Sequence, residues 1–140
     1  MIRRIEGLAG TAKSQLEPED GEYLVRVARA QYHWDKRKPY YSIWFEILRP
    51  LRLKHKAFVG RIYCSPKALW KLNWFLHDFG YDPELLGREE LDEQALAGLE
   101  GVVKISHHTV NGTVLLNLDG FSRAENWAGI GEDEKQAEVA

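Results

Sequence analysis

A chain of 140 residues, 44% hydrophobic and 29% charged, carries enough apolar material for one core and too much for wholesale disorder. Its one cysteine, Cys64, excludes an internal disulfide and a multi-thiolate zinc site, and suits a reducing compartment. The formal net charge of −2 hides a segregation: from Leu24 to Trp74 twelve Lys or Arg oppose two acids (+10), and from Gly80 to Ala140 four bases oppose thirteen acids (−9).

Residues 1–20 read as a lead-in that ends in the turn signal Pro18-Glu19-Asp20-Gly21. The start, Met1 to Gly7, lacks the apolar run of a secretory leader, and no later stretch approaches the ~20 residues of a membrane span. The expectation is a cytoplasmic protein without membrane contact. A domain is expected over residues 21–127. Its first strand runs from Tyr23 to Trp34, with Tyr23, Val25 and Val27 on one side and a slip of alternation at Ala28-Arg29-Ala30 that predicts a β-bulge. After the turn Asp35 to Pro39, a second strand (Tyr40 to Leu48) points Tyr41, Ile43, Phe45 and Ile47 to the core and Tyr40, Ser42, Trp44 and Glu46 away from it. A basic loop, Arg49 to Lys56, leads to a third strand, Ala57 to Cys64, in which Gly60 predicts a bulge or a close approach.

A helix follows, with Ser65 as its N-cap, Pro66 at its first position and Gly80 as a left-handed C-terminal cap. Leu69, Leu72, Phe75 or Leu76, and Phe79 supply its buried stripe, and Asp82-Pro83 stops it. An acidic helix is expected over about Arg88 to Leu99, then a hairpin of Val102 to His108 and Thr113 to Phe121 across Asn111-Gly112. Residues 128–140 are acidic and poor in core residues, which predicts a flexible tail. The order, three strands, a helical insert and two strands, predicts a β-rich α+β fold, an OB-like five-stranded barrel with the insert between strands 3 and 4. An SH3-like barrel or a small α+β sandwich accepts the same order.

The candidate site is a set of aromatics interleaved with bases: Tyr32, Trp34, Tyr40, Trp44 and Tyr63 with Lys36, Arg37, Lys38, Arg52, Lys54, Lys56 and Arg61. Outward rings stack on bases of any identity while Lys and Arg neutralise phosphates, so this mixture points to single-stranded nucleic acid bound without sequence preference. Two plainer readings compete: the rings form a second packed layer under the helices, and the bases are a solvated face. Trp70 and Trp74, with Lys67 and Lys71, are expected to pack the helix onto the barrel, lysines in solvent.

Nothing predicts an enzyme. His33, His55, His77, His107 and His108 have no metal-ligand spacing, no phosphate-binding glycine loop is present, and no nucleophile–base pair stands out. No metal and no cofactor are expected. A protein–protein interaction or structural module that uses the aromatic face as an interface is the alternative, since Trp, Tyr and Arg also enrich interfaces.

Several short stretches resemble a family of phage and prophage OB-fold single-stranded-DNA-binding proteins associated with recombination. They are Gly21-Glu22-Tyr23-x-Val25, Ser42-x-Trp44-Phe45-Glu46, Gly60-Arg61, Ala68-Leu69-Trp70-Lys71-Leu72-x-x-Phe75-Leu76, Leu99-x-Gly101-x-Val103 and Asn117-x-x-Gly120-Phe121. The resemblance spans about residues 20–122 and mostly records core packing. It implies single-stranded DNA as partner, with RNA left as an alternative, and an acidic tail that recruits recombination or replication proteins. The tail ends Val139-Ala140, without a terminal aromatic, which departs from the usual bacterial tail. Homo-oligomerisation is left open.

Overall fold

In the computed structural model, which describes residues 1–4, 18–34 and 38–127, the period-two pattern of the strands sets the core. β1 (Gly21–His33) turns Tyr23, Val25 and Val27 inward, and β2 (Tyr40–Arg49) turns in Ile43, Phe45 and Ile47. β3 (Ala57–Tyr63) adds Phe58 and Ile62, β4 (Glu100–Val110) adds Val103 and Ile105, and β5 (Thr113–Arg123) adds Leu118 and Phe121. The five strands make one antiparallel sheet in the order β3-β2-β1-β4-β5. Its edge strands are not hydrogen-bonded to each other, yet the sheet curls until they touch. A Cβ placed on Gly60 of β3 would lie 2.6 Å from the Leu118 side chain of β5. Gly60 is therefore a close approach rather than a bulge.

The bulge expected near Ala28 is present, since the β1–β2 register shifts between Val27 and Arg29. Here β1 also parts from β4. The Val27 N–H donates to the Leu99 carbonyl at 2.8 Å, and the Gly98 N–H donates to the Val27 carbonyl at 2.7 Å. Beyond Val27, β1 pairs with β2 alone.

The helical insert differs from the expectation in two places. Residues 66–68 form a turn closed by the Ala68 N–H on the Ser65 carbonyl at 2.8 Å, so α1 (Leu69–Asp78) starts later and has no side-chain cap. Leu69 consequently leaves the buried stripe and is 46% exposed, while Leu72, Phe75 and Leu76 are buried. The end of α1 is as expected. Gly80 has φ +80°, its N–H reaches the His77 carbonyl at 3.3 Å, and the Tyr81 N–H reaches the Leu76 carbonyl at 2.9 Å. Tyr81 and Leu76 are both buried, completing a Schellman cap.

The continuous acidic helix over 88–99 is absent. One short helix, α2 (Pro83–Gly87), precedes that range, and only another short helix, α3 (Glu93–Leu96), lies within it. Asp82 is the N-cap of α2, accepting from the Glu84 and Leu85 N–H groups at 2.8 and 3.4 Å, and Pro83 suits its first turn. Asp92 caps α3 through the Gln94 N–H at 3.0 Å. Between them the Tyr81 hydroxyl donates to the Glu90 carbonyl and accepts from the Asp92 N–H, both at 2.9 Å. Local caps and a buried tyrosine thus take the backbone groups that a longer helix would need.

The β4–β5 hairpin turns at Asn111 (φ 51°) and Gly112 (φ 80°), the left-handed pair of a primed turn. Both strands run past the expected bounds, and the tip exposes Val110, Val114 and Leu115. The molecule is a β-rich α+β fold. Among the described residues no helix is long and apolar enough to cross a membrane.

Candidate nucleic-acid interface

Three strands present their outward residues as one surface, fixed by register. Tyr40 of β2 lies between His33 of β1 and Tyr63 of β3, Ser42 between Gln31 and Arg61, and Trp44 between Arg29 and Val59. His33 stacks on Tyr40 with centroids 4.8 Å apart and planes 15° from parallel, and Tyr63 leans against the same ring at 5.5 Å. The guanidinium of Arg61 lies 4.7 Å from the Tyr40 ring centre, and that of Arg29 lies 4.5 Å from the Trp44 ring centre. The surface therefore holds two ring–guanidinium units about 13 Å apart along β2, from four residues at ~3.3 Å each. Ser42, a buried polar residue, forms the floor between them. The Nε2 atom of His33 is buried without a hydrogen-bond partner among the described residues, an exception to the usual satisfaction of buried polar atoms.

Of the residues picked from the sequence, Tyr40, Trp44, Arg61 and Tyr63 come together on this surface. Trp34, just past the end of β1, is 73% exposed, and exposed Lys38 precedes β2. Both belong to the Tyr40 end of the sheet. Tyr32 does not join them. It opposes Tyr41, meets that ring edge-on at 5.1 Å on the other side of the sheet, and its N–H donates to the Glu93 carboxylate at 3.1 Å. Strand alternation sets Tyr32 against His33, so only one of the two can face outward. Arg52, Lys54 and Lys56 are exposed in the β2–β3 connection, at the opposite end of β2, roughly 30 Å of strand from Tyr40. They form a separate group. Lys36, Arg37 and the expected tail over 128–140 lie outside the described residues.

Sequence reasoning missed Arg29, Gln31 and His33 as members of the surface. The bulge is what brings them there, because it resets the parity of β1 so that Arg29 opposes Trp44. The broken alternation at Ala28-Arg29-Ala30 was the signal that could have placed them.

Electrostatics favours the Tyr40 end. Toward the other end, Arg26 contacts Glu46 at 3.6 Å and Glu100 at 3.4 Å, and Glu46 also meets His55 at 3.4 Å. There Arg26 is matched by two carboxylates, while Arg52, Lys54 and Lys56 stand exposed in the neighbouring connection. Around Tyr40 and Trp44 the guanidinium groups rest on rings, with the Arg29 Nη2 donating to the Gln31 side chain at 2.9 Å. On the opposite side, burial pushes the Tyr41 hydroxyl up to about 12, helped by Cys64 and Glu93 nearby, and burial also raises the Cys64 thiol. Both stay protonated at neutral pH.

Among the described residues no group of three or more His, Cys, Asp or Glu side chains is placed to hold a metal ion. No family model matches this chain, and no curated protein matches it.

Proposed function

We propose that this chain is a non-catalytic OB-like domain that binds single-stranded DNA without sequence preference through the outer surface of β1, β2 and β3. The observation that carries the reading is the pairing of each outward ring on β2 with an arginine, Tyr40 with Arg61 and Trp44 with Arg29. Stacking platforms supply sequence-tolerant affinity, and adjacent guanidinium groups neutralise the phosphates between stacked bases. The sheet order supports the fold half of the proposal. With β3 against β5, five antiparallel strands enclose a core and the helices fall between the third and fourth strands, as in a partly open OB barrel. A role in phage-type replication or recombination is the setting that the sequence resemblance suggests.

A protein-binding face is the second reading, since Trp, Tyr and Arg together also enrich such interfaces and the same ring–arginine pairs would serve it. Titration of the protein with poly-dT and with duplex, followed by tryptophan fluorescence, tests the proposal. Micromolar or tighter binding to poly-dT is expected, with duplex much weaker and log K falling by about 0.7 per phosphate neutralised as log salt rises. Absence of quenching by poly-dT at low salt refutes it.

A further inference from the structure

The exposed face of α1 carries a feature that the β1–β3 surface does not use. Trp70 and Trp74 were expected to pack the helix onto the sheet together, yet only Trp74 does so. Its ring meets Phe121 edge-on at 5.6 Å, a Cβ on Gly120 would come within 3.0 Å of it, and its indole N–H donates to the Asp78 carboxylate at 2.9 Å. Trp70 stacks on that anchored ring, with centroids 6.1 Å apart and planes 24° from parallel, and is 62% exposed. Large apolar rings are seldom left in water without a partner to cover them. One side of Trp70 is held by Trp74, and its solvent side is a flat platform already fixed in place.

Two lysines, Lys67 and Lys71, stand close to Trp70 in the chain. Trp70 and Trp74 are four apart on one face of α1, Lys71 follows Trp70 on the helix, and exposed Lys67 stands in the turn just before it, so the stripe of rings is flanked by cations. No acidic residue stands in the first turn of α1. Asp78 lies at the far end, already engaged by Trp74 and by His77 at 3.1 Å. A ligand that suits the stripe stacks a flat ring on Trp70 and places anions beside the lysines. That is a nucleotide of a single strand.

We infer that Trp70, with Lys67 and Lys71, is a second single-strand stacking site, separate from the β1–β3 surface. The inference rests on the proposed function for its choice of ligand. α1 packs on β3 and β5, so the two sites lie on either side of β3. One strand that engages both must be longer than one that engages the first alone, and the second contact then forms at high effective concentration.

Fluorescence anisotropy with labelled oligothymidylates of about 6 and about 30 nucleotides, one within and one well beyond the ~4–16 of one OB fold, separates the two sites. Trp70→Ala should weaken the long oligonucleotide about five-fold or more and leave the short one unchanged, and Trp70→Phe should restore most of the loss. Trp44→Ala should weaken both lengths. Because Trp70 is mostly exposed, the thermal midpoint of Trp70→Ala should match that of the parent protein, and Trp70→Phe carries the comparison if it does not. Equal long-oligonucleotide affinity in the parent and Trp70→Ala proteins overturns the second site and leaves the first intact. Equal losses for both lengths also overturn it, because Trp70 would then belong to a single continuous site. If Trp44→Ala changes nothing while Trp70→Ala abolishes binding, the β1–β3 reading fails instead. If Trp70→Ala alters only the binding of an acidic peptide and no oligonucleotide, the stripe is a protein-docking site and the inference is wrong.

Discussion

Trp44 and Phe45 are neighbours on β2 with opposite surroundings. Phe45 is fully buried among Phe58, Phe75 and Phe79, while Trp44 lies on the outer surface under Arg29. Phe45→Ala should therefore destabilise the fold by ~3–5 kcal/mol through lost packing and a cavity, measured by urea denaturation. Trp44→Ala should cost ~1–3 kcal/mol of single-strand binding and little stability. The reverse pattern would place the binding surface on the wrong side of the sheet. This pair was legible in the sequence because strict alternation from Tyr41 to Ile47 fixes both directions. Tyr32 was not legible in the same way. Its side depends on how many residues the bulge consumes, which only the observed shift between Val27 and Arg29 decides.

At the scale of elements, the strands and the hairpin were legible and the helical insert only in part. A primed turn needs two left-handed residues, and Asn111-Gly112 is nearly unambiguous. The insert depends instead on competition between local hydrogen bonds. Asp82-Pro83 ends a helix or begins one equally well by composition, and the carboxylate settles the matter by accepting from Glu84 and Leu85. Asp82→Ala should accordingly lower stability by ~1 kcal/mol through loss of that cap, seen as a lower urea midpoint at unchanged slope. No change would mean that α2 is held by packing alone. Ser65 shows the same ambiguity, since its carbonyl closes a turn before the helix begins.

For the molecule as a whole, alkaline pH acts on the buried phenols. The Tyr41 hydroxyl is raised from 10.0 to about 12, and that of Tyr23, which donates to the Glu19 carbonyl at 2.6 Å, is raised by burial as well. Between about pH 10 and 12 the unfolded chain releases a proton that the folded chain retains, so ionisation favours unfolding. Stability should be steady below pH 10 and fall as pH rises through that window, with Tyr41→Phe flattening the fall. A parallel decline in Tyr41→Phe would assign the effect to other groups. The contact between Gly60 and Leu118 has its own consequence. β3 and β5 meet there through side chains, without the ladder that binds every other neighbouring pair. Parting them ruptures no backbone hydrogen bond, so the curled sheet has one seam that can gape while the ladders hold. In deuterated water, amides of β1 from Leu24 to Val27, the stretch with hydrogen-bonded neighbours on both sides, should exchange far more slowly than those on the free edges of β3 and β5. Gly60→Ala would wedge the seam at the cost of ~1–3 kcal/mol, and the edge amides should then lose protection before those of β1. Uniform loss across all five strands would mean that the molecule opens as one unit and that the seam is no weaker than the ladders.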